Sequence, residues 1–214
     1  MKIGLFGIGL NTYWGQFDGL LERLQGYQRQ IAEKMSGMGA EVVDAGMVDD
    51  PAKADAAARR LKENDVELVF LYISTYALSS TVLPVVQRLG VPVIVLNLQP
   101  AAAIDYDYLN GMGDRGRMTG EWLSHCQACS VPEVACVFNR LGLKYDIVTG
   151  YLAEESVRCS RRDASEPDGG ARPLLLRDAR RIYRPYADVR RIRDACRTAR
   201  NVRTERAARP RDRC

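Results

Sequence analysis

The chain predicts a doubly wound α/β domain followed by a basic tail, on three observations. Short Val/Ile/Leu runs recur almost without polar interruption, as strands buried on both faces of a parallel sheet do. Amphipathic helical segments separate those runs. The composition then breaks near residue 156.

The elements follow in order. "KIGLFGI" (2–8) reads as a buried strand, and "GIGLNTYWGQF" (7–17) as the connection after it. The helix predicted over 19–39 places Leu20, Leu21, Leu24, Tyr27, Ile31 and Met35 on one stripe and ends at Gly37 and Gly39, suited to a C-cap. "AEVVDAG" (40–46) is the second strand. Asp50 and Pro51 form an N-cap and first-position pair for a helix over 50–64. Strands at 66–73 and 91–98 flank a short helix at 79–90. Ser130 and Glu133, in capping-box spacing, predict a helix over 130–142, and "KYDIVTG" (144–150) closes the sheet. Strict alternation with short links gives a mostly parallel sheet of Rossmann or flavodoxin-like type. Ligands on such sheets sit beyond the carboxyl ends of the strands, where residues 7–17, 74–80 and the long connection 96–120 all fall.

The 214 residues, 46% hydrophobic, are enough for one core and an appendage. No run of about 18 apolar residues predicts a membrane helix. The N-terminus enters a strand at once, without a secretory pattern, so a cytoplasmic location is expected. The six cysteines are accordingly expected to be thiols. Residues 1–156 carry 13 basic and 19 acidic side chains, a net of −6. Residues 157–214 carry 18 Arg, no Lys and 8 acids, a net of +10. The two parts need separate explanations.

Several motifs point to chemistry. "GIGLNT" partly matches the dinucleotide fingerprint, but Thr12 stands in place of the third glycine and the expected acid is displaced to Asp44. A nicotinamide site is therefore not expected. Cys126 and Cys129 have redox spacing and precede a predicted helix, with packed, inert thiols as the default. His125 is the only histidine, which rules out a multi-histidine metal site, and it reads first as a hydrogen-bonded structural residue. Asp105, Asp107 and Asp114 read as a solvated loop or subunit contact before they read as metal ligands. The loop carrying Asn11, Tyr13, Trp14 and Gln16 offers flat apolar faces beside amides. That kit suits a sugar, and equally a packed interface.

Three stretches together, "IGLNTYWGQFDGLLERL" (8–24), "LYISTYALSSTVLPVVQRLGVPVIVLNLQPAAAIDY" (71–106) and "MTGEWLSHCQACSVPEVACVFNRLG" (118–142), resemble the N-terminal domain of the L-fucose/L-arabinose isomerase family. The resemblance implies a fragment of an aldose–ketose isomerase of carbohydrate metabolism. Family members move a proton between C1 and C2 of a sugar, with a divalent metal, usually Mn²⁺, polarising its oxygens. It implies a homo-oligomer in which this domain helps close a neighbour's sugar site, with Asn11, Tyr13, Trp14, Gln16, Gln99, His125 and Gln127 on the substrate side. The family's metal ligands and catalytic carboxylates lie beyond this domain, so no catalytic or metal residue is expected here. The chain alone is expected to be inactive.

The resemblance ends at about residue 156. The sugar-isomerase-like domain is therefore assigned to 1–156, and an Arg-rich, disordered tail to 157–214. A basic arm would coat phosphates. The preferred reading is a shifted frame. Synonymous codons from Arg177 to Thr204, read one base on, can spell a segment resembling the family's next stretch, so nucleic acid is not the expected partner. The alternatives carried forward are a non-catalytic sugar-binding or oligomerisation module and, behind it, a nucleic-acid-binding protein using the tail.

Overall fold

The structure is a computed structural model that describes residues 2–152. The expected tail lies outside the described residues. Five strands, β1 (Lys2–Ile8), β2 (Glu41–Val48), β3 (Leu68–Ile73), β4 (Val93–Gln99) and β5 (Tyr145–Tyr151), form one sheet in the order β2-β1-β3-β4-β5. All four pairings are parallel. The doubly wound α/β fold is therefore as the sequence predicts, of flavodoxin-like strand order.

The helices are α1 (Leu20–Gly37), α2 (Pro51–Glu63), α3 (Ser79–Leu89), α4 (Tyr106–Gly111), α5 (Arg115–Leu123) and α6 (Gln127–Arg140). Strand order reverses direction at β1, so α1 covers one sheet face while α2, α3 and α6 cover the other. On the three-helix face, Ala54, Ala57, Ala58 and Leu61 of α2, Val82, Val85 and Val86 of α3, and Val134 and Phe138 of α6 pack on Phe6, Ile8, Val69, Leu71, Val93 and Val95. On the other face, Ile31 and Met35 of α1 pack on Ile3, Leu5, Leu68, Tyr72, Leu96 and Leu98. That face is less completely covered at β5, where Val148, opposite Leu96, is 45% exposed.

Local rules account for some helix starts and fail at others. Asp50 caps α2 as expected, its carboxylate accepting from Lys53 N at 2.8 Å. The expected capping box at Ser130 and Glu133 does not form. Helix α6 starts three residues earlier, at Gln127, and Ser130 lies buried inside it. The Ser130 hydroxyl accepts from Ala77 N and donates to Thr75 O. Glu133 Oε1 instead accepts from Ser79 N at 2.9 Å and caps α3, whose own N-cap residue, Leu78, has no side-chain acceptor.

Gly7 sits where the β1–β2 register shifts. A Cβ there would lie 2.2 Å from Oε1 of buried Gln28, whose Nε2 donates to Asp44 Oδ1. Gln28 would have to shift, and its bond to Asp44 with it. Gly7→Ala is expected to cost about 1–3 kcal/mol through overpacking, read as a lower urea midpoint with an unchanged slope. Gly15→Ala, where nothing lies within 4 Å of a new Cβ, is the control and should stay within about 0.5 kcal/mol of the parent.

Candidate functional site

The carboxyl edge of the sheet carries the loop after β1, Asp49 after β2, residues 74–78 after β3, and the α4–α5 segment after β4. The first loop makes a short 3-10 turn at Asn11–Tyr13 and folds Trp14 back over Gly9. A Cβ at Gly9 would stand 2.8 Å from the Trp14 ring, so only glycine admits this approach. Trp14 Nε1 donates to Asp49 Oδ2 at 2.6 Å, and Lys53 Nζ donates to Asp49 Oδ1 at 2.6 Å. Asp49 is buried, and this pairing neutralises a carboxylate that could not otherwise be held out of water.

The expected site residues fall into two groups. Tyr13 meets Trp14 and Phe17 edge-on, with ring centroids 6.5 and 5.9 Å apart, and burial holds its hydroxyl above the ordinary tyrosine pKa. Gln16 Nε2 donates to Thr12 O at 2.6 Å, while Asn11 is exposed. In the second group, Gln127 is fully buried and its Nε2 donates to Ser74 O and Ser124 O. Gln99 is oriented by its partners: its amide nitrogen donates to His125 O at 3.1 Å and Gln127 Oε1 at 2.8 Å, and its oxygen accepts from Ala128 N at 3.2 Å. The two groups share one apolar cluster, in which Tyr13 and Trp14 pack with Leu20, Leu24, Met47, Leu123 and Cys126. The hydroxyl of Tyr72, on β3, is buried beside Gln127, and that burial pushes it well above the ordinary tyrosine range.

His125 lies 3.9 Å from Glu121, which also accepts from Arg23 Nη1 at 2.6 Å. Burial holds the imidazole below its ordinary pKa. The Glu121 charge opposes that shift, and the Arg23 charge adds to it. No hydrogen bond among the described residues joins His125 to a serine or a thiol, so no nucleophile–base pair is assembled there. No group of three or more His, Cys, Asp or Glu among the described residues could hold a metal ion, and no step is derived through Mn²⁺.

Asp105 and Asp114 have local structural roles. Each caps a helix, accepting from Tyr108 N and Arg117 N at 2.9 Å. Cys126 and Cys129 are disulfide-bonded, which corrects the expectation of free thiols at this pair; Cys136 is free. Sequence reasoning did not single out Asp49, Lys53, Arg23 or Glu121, whose partners lie far away in the chain or are charges with no motif around them. It placed the 96–120 connection at the ligand edge and read its aspartates as a solvated loop or subunit contact, but did not single out the aromatic surface formed by α4 and α5. There Tyr106, Tyr108 and Trp122 are 60%, 57% and 41% exposed, beside a shallow apolar cavity of about 290 Å³ lined by Tyr106, Leu109, Asn110, Met118, Thr119 and Trp122.

No protein-family model and no curated protein matches the chain. Similar solved structures include a Bacteroides fragilis protein assigned as an acylhydrolase, with 11% identity and a TM-score of 0.33, spanning 68% of this chain and 66% of that one. Another is a GDSL-like lipase from Bacteroides thetaiotaomicron, with 12% identity and a TM-score of 0.31, spanning 68% of this chain and 67% of that one. These likenesses assign this chain no hydrolase activity. Both of these structures are described as hydrolases and not as sugar isomerases, which overturns the expectation of an L-arabinose/L-fucose-type isomerase fragment in carbohydrate metabolism.

Asp49→Ala leaves Trp14 Nε1 without its acceptor and should cost about 1–3 kcal/mol. With Trp122→Phe removing the second tryptophan, the Trp14 emission should also shift to longer wavelength, and an unchanged spectrum would contradict the anchoring role. For His125 the lowered native pKa means that the native state favours the neutral ring. Its contribution to stability is therefore complete above the ordinary value of about 6.5 and is lost as pH falls through the lowered native value. The urea midpoint should drop as pH falls below about 6.5, and His125→Gln should drop less.

Proposed function

We propose that the described residues act as a non-catalytic association module that pairs with a second copy of the chain through α4 and α5. The observation that carries this reading is the pair of exposed rings, Tyr106 and Trp122, that line the apolar cavity. Aromatic side chains of this kind supply large contact area with a polar tip, and exposed clusters of them mark interaction surfaces. Of the amides expected to meet a sugar, Gln16, Gln99 and Gln127 are hydrogen-bonded within the chain, so the reading does not rest on them.

The charge pattern supports a like partner. Asp105 and Asp107 open α4, and Arg115 and Arg117 open α5. A two-fold pairing can set the basic start of one copy's α5 against the acidic start of the other's α4, as an isologous interface requires. The apolar rings then meet at the centre and the charges form the rim.

Sedimentation of the full chain over a range of concentrations should show a monomer–dimer equilibrium. Trp122→Ser and Tyr106→Ser should each weaken it at least about tenfold, as truncation of a central aromatic anchor does. Leu141→Ser, at a residue 47% exposed beyond the end of α6, should leave it unchanged. A chain that stays monomeric throughout, or variants that associate like the parent, would overturn the proposal.

A further inference from the structure

We propose that Cys126 and Cys129 form a reversible dithiol–disulfide site at the start of α6 that exchanges with small thiols. The two sulfurs lie on the first turn of the helix: Cys126 is its N-cap residue and Cys129 the third residue within it, with Cα atoms 5.5 Å apart. Their surroundings differ. Cys126 is 4% exposed and packs in the cluster that holds Leu24, Leu123 and Trp14, whereas Cys129 faces solvent. One sulfur is thus open to attack and the other is shielded, the division of roles that directional exchange needs.

The leaving group is provided for. The N-cap residue itself supplies no side-chain cap, and Gln99 satisfies only Ala128 N, so the positive end of the helix favours a thiolate at Cys126 once the bond opens. The turn itself is fixed from three sides. Gln127 is bonded to Ser74 O and Ser124 O, Ser130 to Thr75 O and Ala77 N, and Ala128 N to Gln99. The reduced sulfurs therefore stay close together, and the bond recloses as an intramolecular step at high effective concentration.

The exchange balances with a dithiol as reductant. Its thiolate attacks Cys129 Sγ, the Cys126–Cys129 bond breaks, and Cys126 leaves as a thiolate that takes up a proton. The reagent's second thiol, losing its proton, attacks its own sulfur in the mixed disulfide and releases Cys129. The protein gains two electrons and two protons, and the dithiol leaves as a cyclic disulfide.

The test equilibrates the native full chain in reduced and oxidised dithiothreitol at graded ratios, quenches with acid, labels thiols with N-ethylmaleimide and maps the peptides by mass spectrometry. Cys126 and Cys129 should gain label together through a single midpoint and lose it when oxidised reagent is restored. Cys136, free and exposed on the same helix, should be labelled wherever free dithiothreitol is low. A second arm loads oxidised glutathione onto reduced chain. In Cys126→Ser the adduct on Cys129 should persist at least ten times longer than in the parent, because the resolving thiol is gone. A bond that yields only after denaturation, thiols that do not reclose, or equal adduct lifetimes in parent and variant would each overturn the proposal.

Discussion

The carboxyl edge of this domain depends on one buried carboxylate. Asp49 ends β2 inside the protein, where an unpaired charge would be prohibitive. It is held by Trp14 Nε1 from the first loop and by Lys53 from the first turns of α2. Those contacts fix where the loop after β1 lies, and the loop in turn closes the apolar cluster that includes Leu123 and Cys126. Gly9 is the geometric condition for the arrangement, because any side chain there would push the indole off its acceptor. A strand end, a helix start and a loop are thereby set by one group that no sequence motif announces.

The aromatic and amide residues of this edge show why a binding kit and a packing kit look alike in sequence. An indole N–H, a phenol and a carboxamide hydrogen-bond a sugar hydroxyl or a main-chain carbonyl with similar ease. Trp14, Gln16 and Gln127 meet acceptors of their own chain, on Asp49, Thr12, Ser74 and Ser124. The surface that does face outward is made by α4 and α5, within a stretch that reads as a polar loop. Its two aspartates at 105 and 114 earn their places as helix caps, and the rings beside them remain exposed.

The central strands β1, β3 and β4 were legible because burial on both faces leaves continuous apolar runs, and α2 was legible because Asp50 and Pro51 are local signals. Every parallel strand fell within about two residues of its expected bounds, which is the ordinary tolerance of element ends. What stayed hidden was tertiary. Gln28 takes a buried position on α1 that an apolar stripe would not assign to it, because Gly7 leaves room beneath. The start of α6 is set by contacts of Gln127 and Ser130 with the segment after β3, which override the local capping pattern. The bond between Cys126 and Cys129 follows from that earlier start, since it brings both residues onto one helical turn.

Glu133 gives α3 its cap from 54 residues further along the chain. The first turn of α3 is therefore not a local folding event. During synthesis, α3 and β4 leave the ribosome well before the residue that closes the helix, and its opening amides face water until α6 has been made and laid against the sheet. Formation of the α3 N-terminus is thus tied to the late crossover between β4 and β5, a contact of high sequence separation and correspondingly slow closure. A ribosome pausing before residue 133 would hold the nascent domain with the Ser79 amide uncapped.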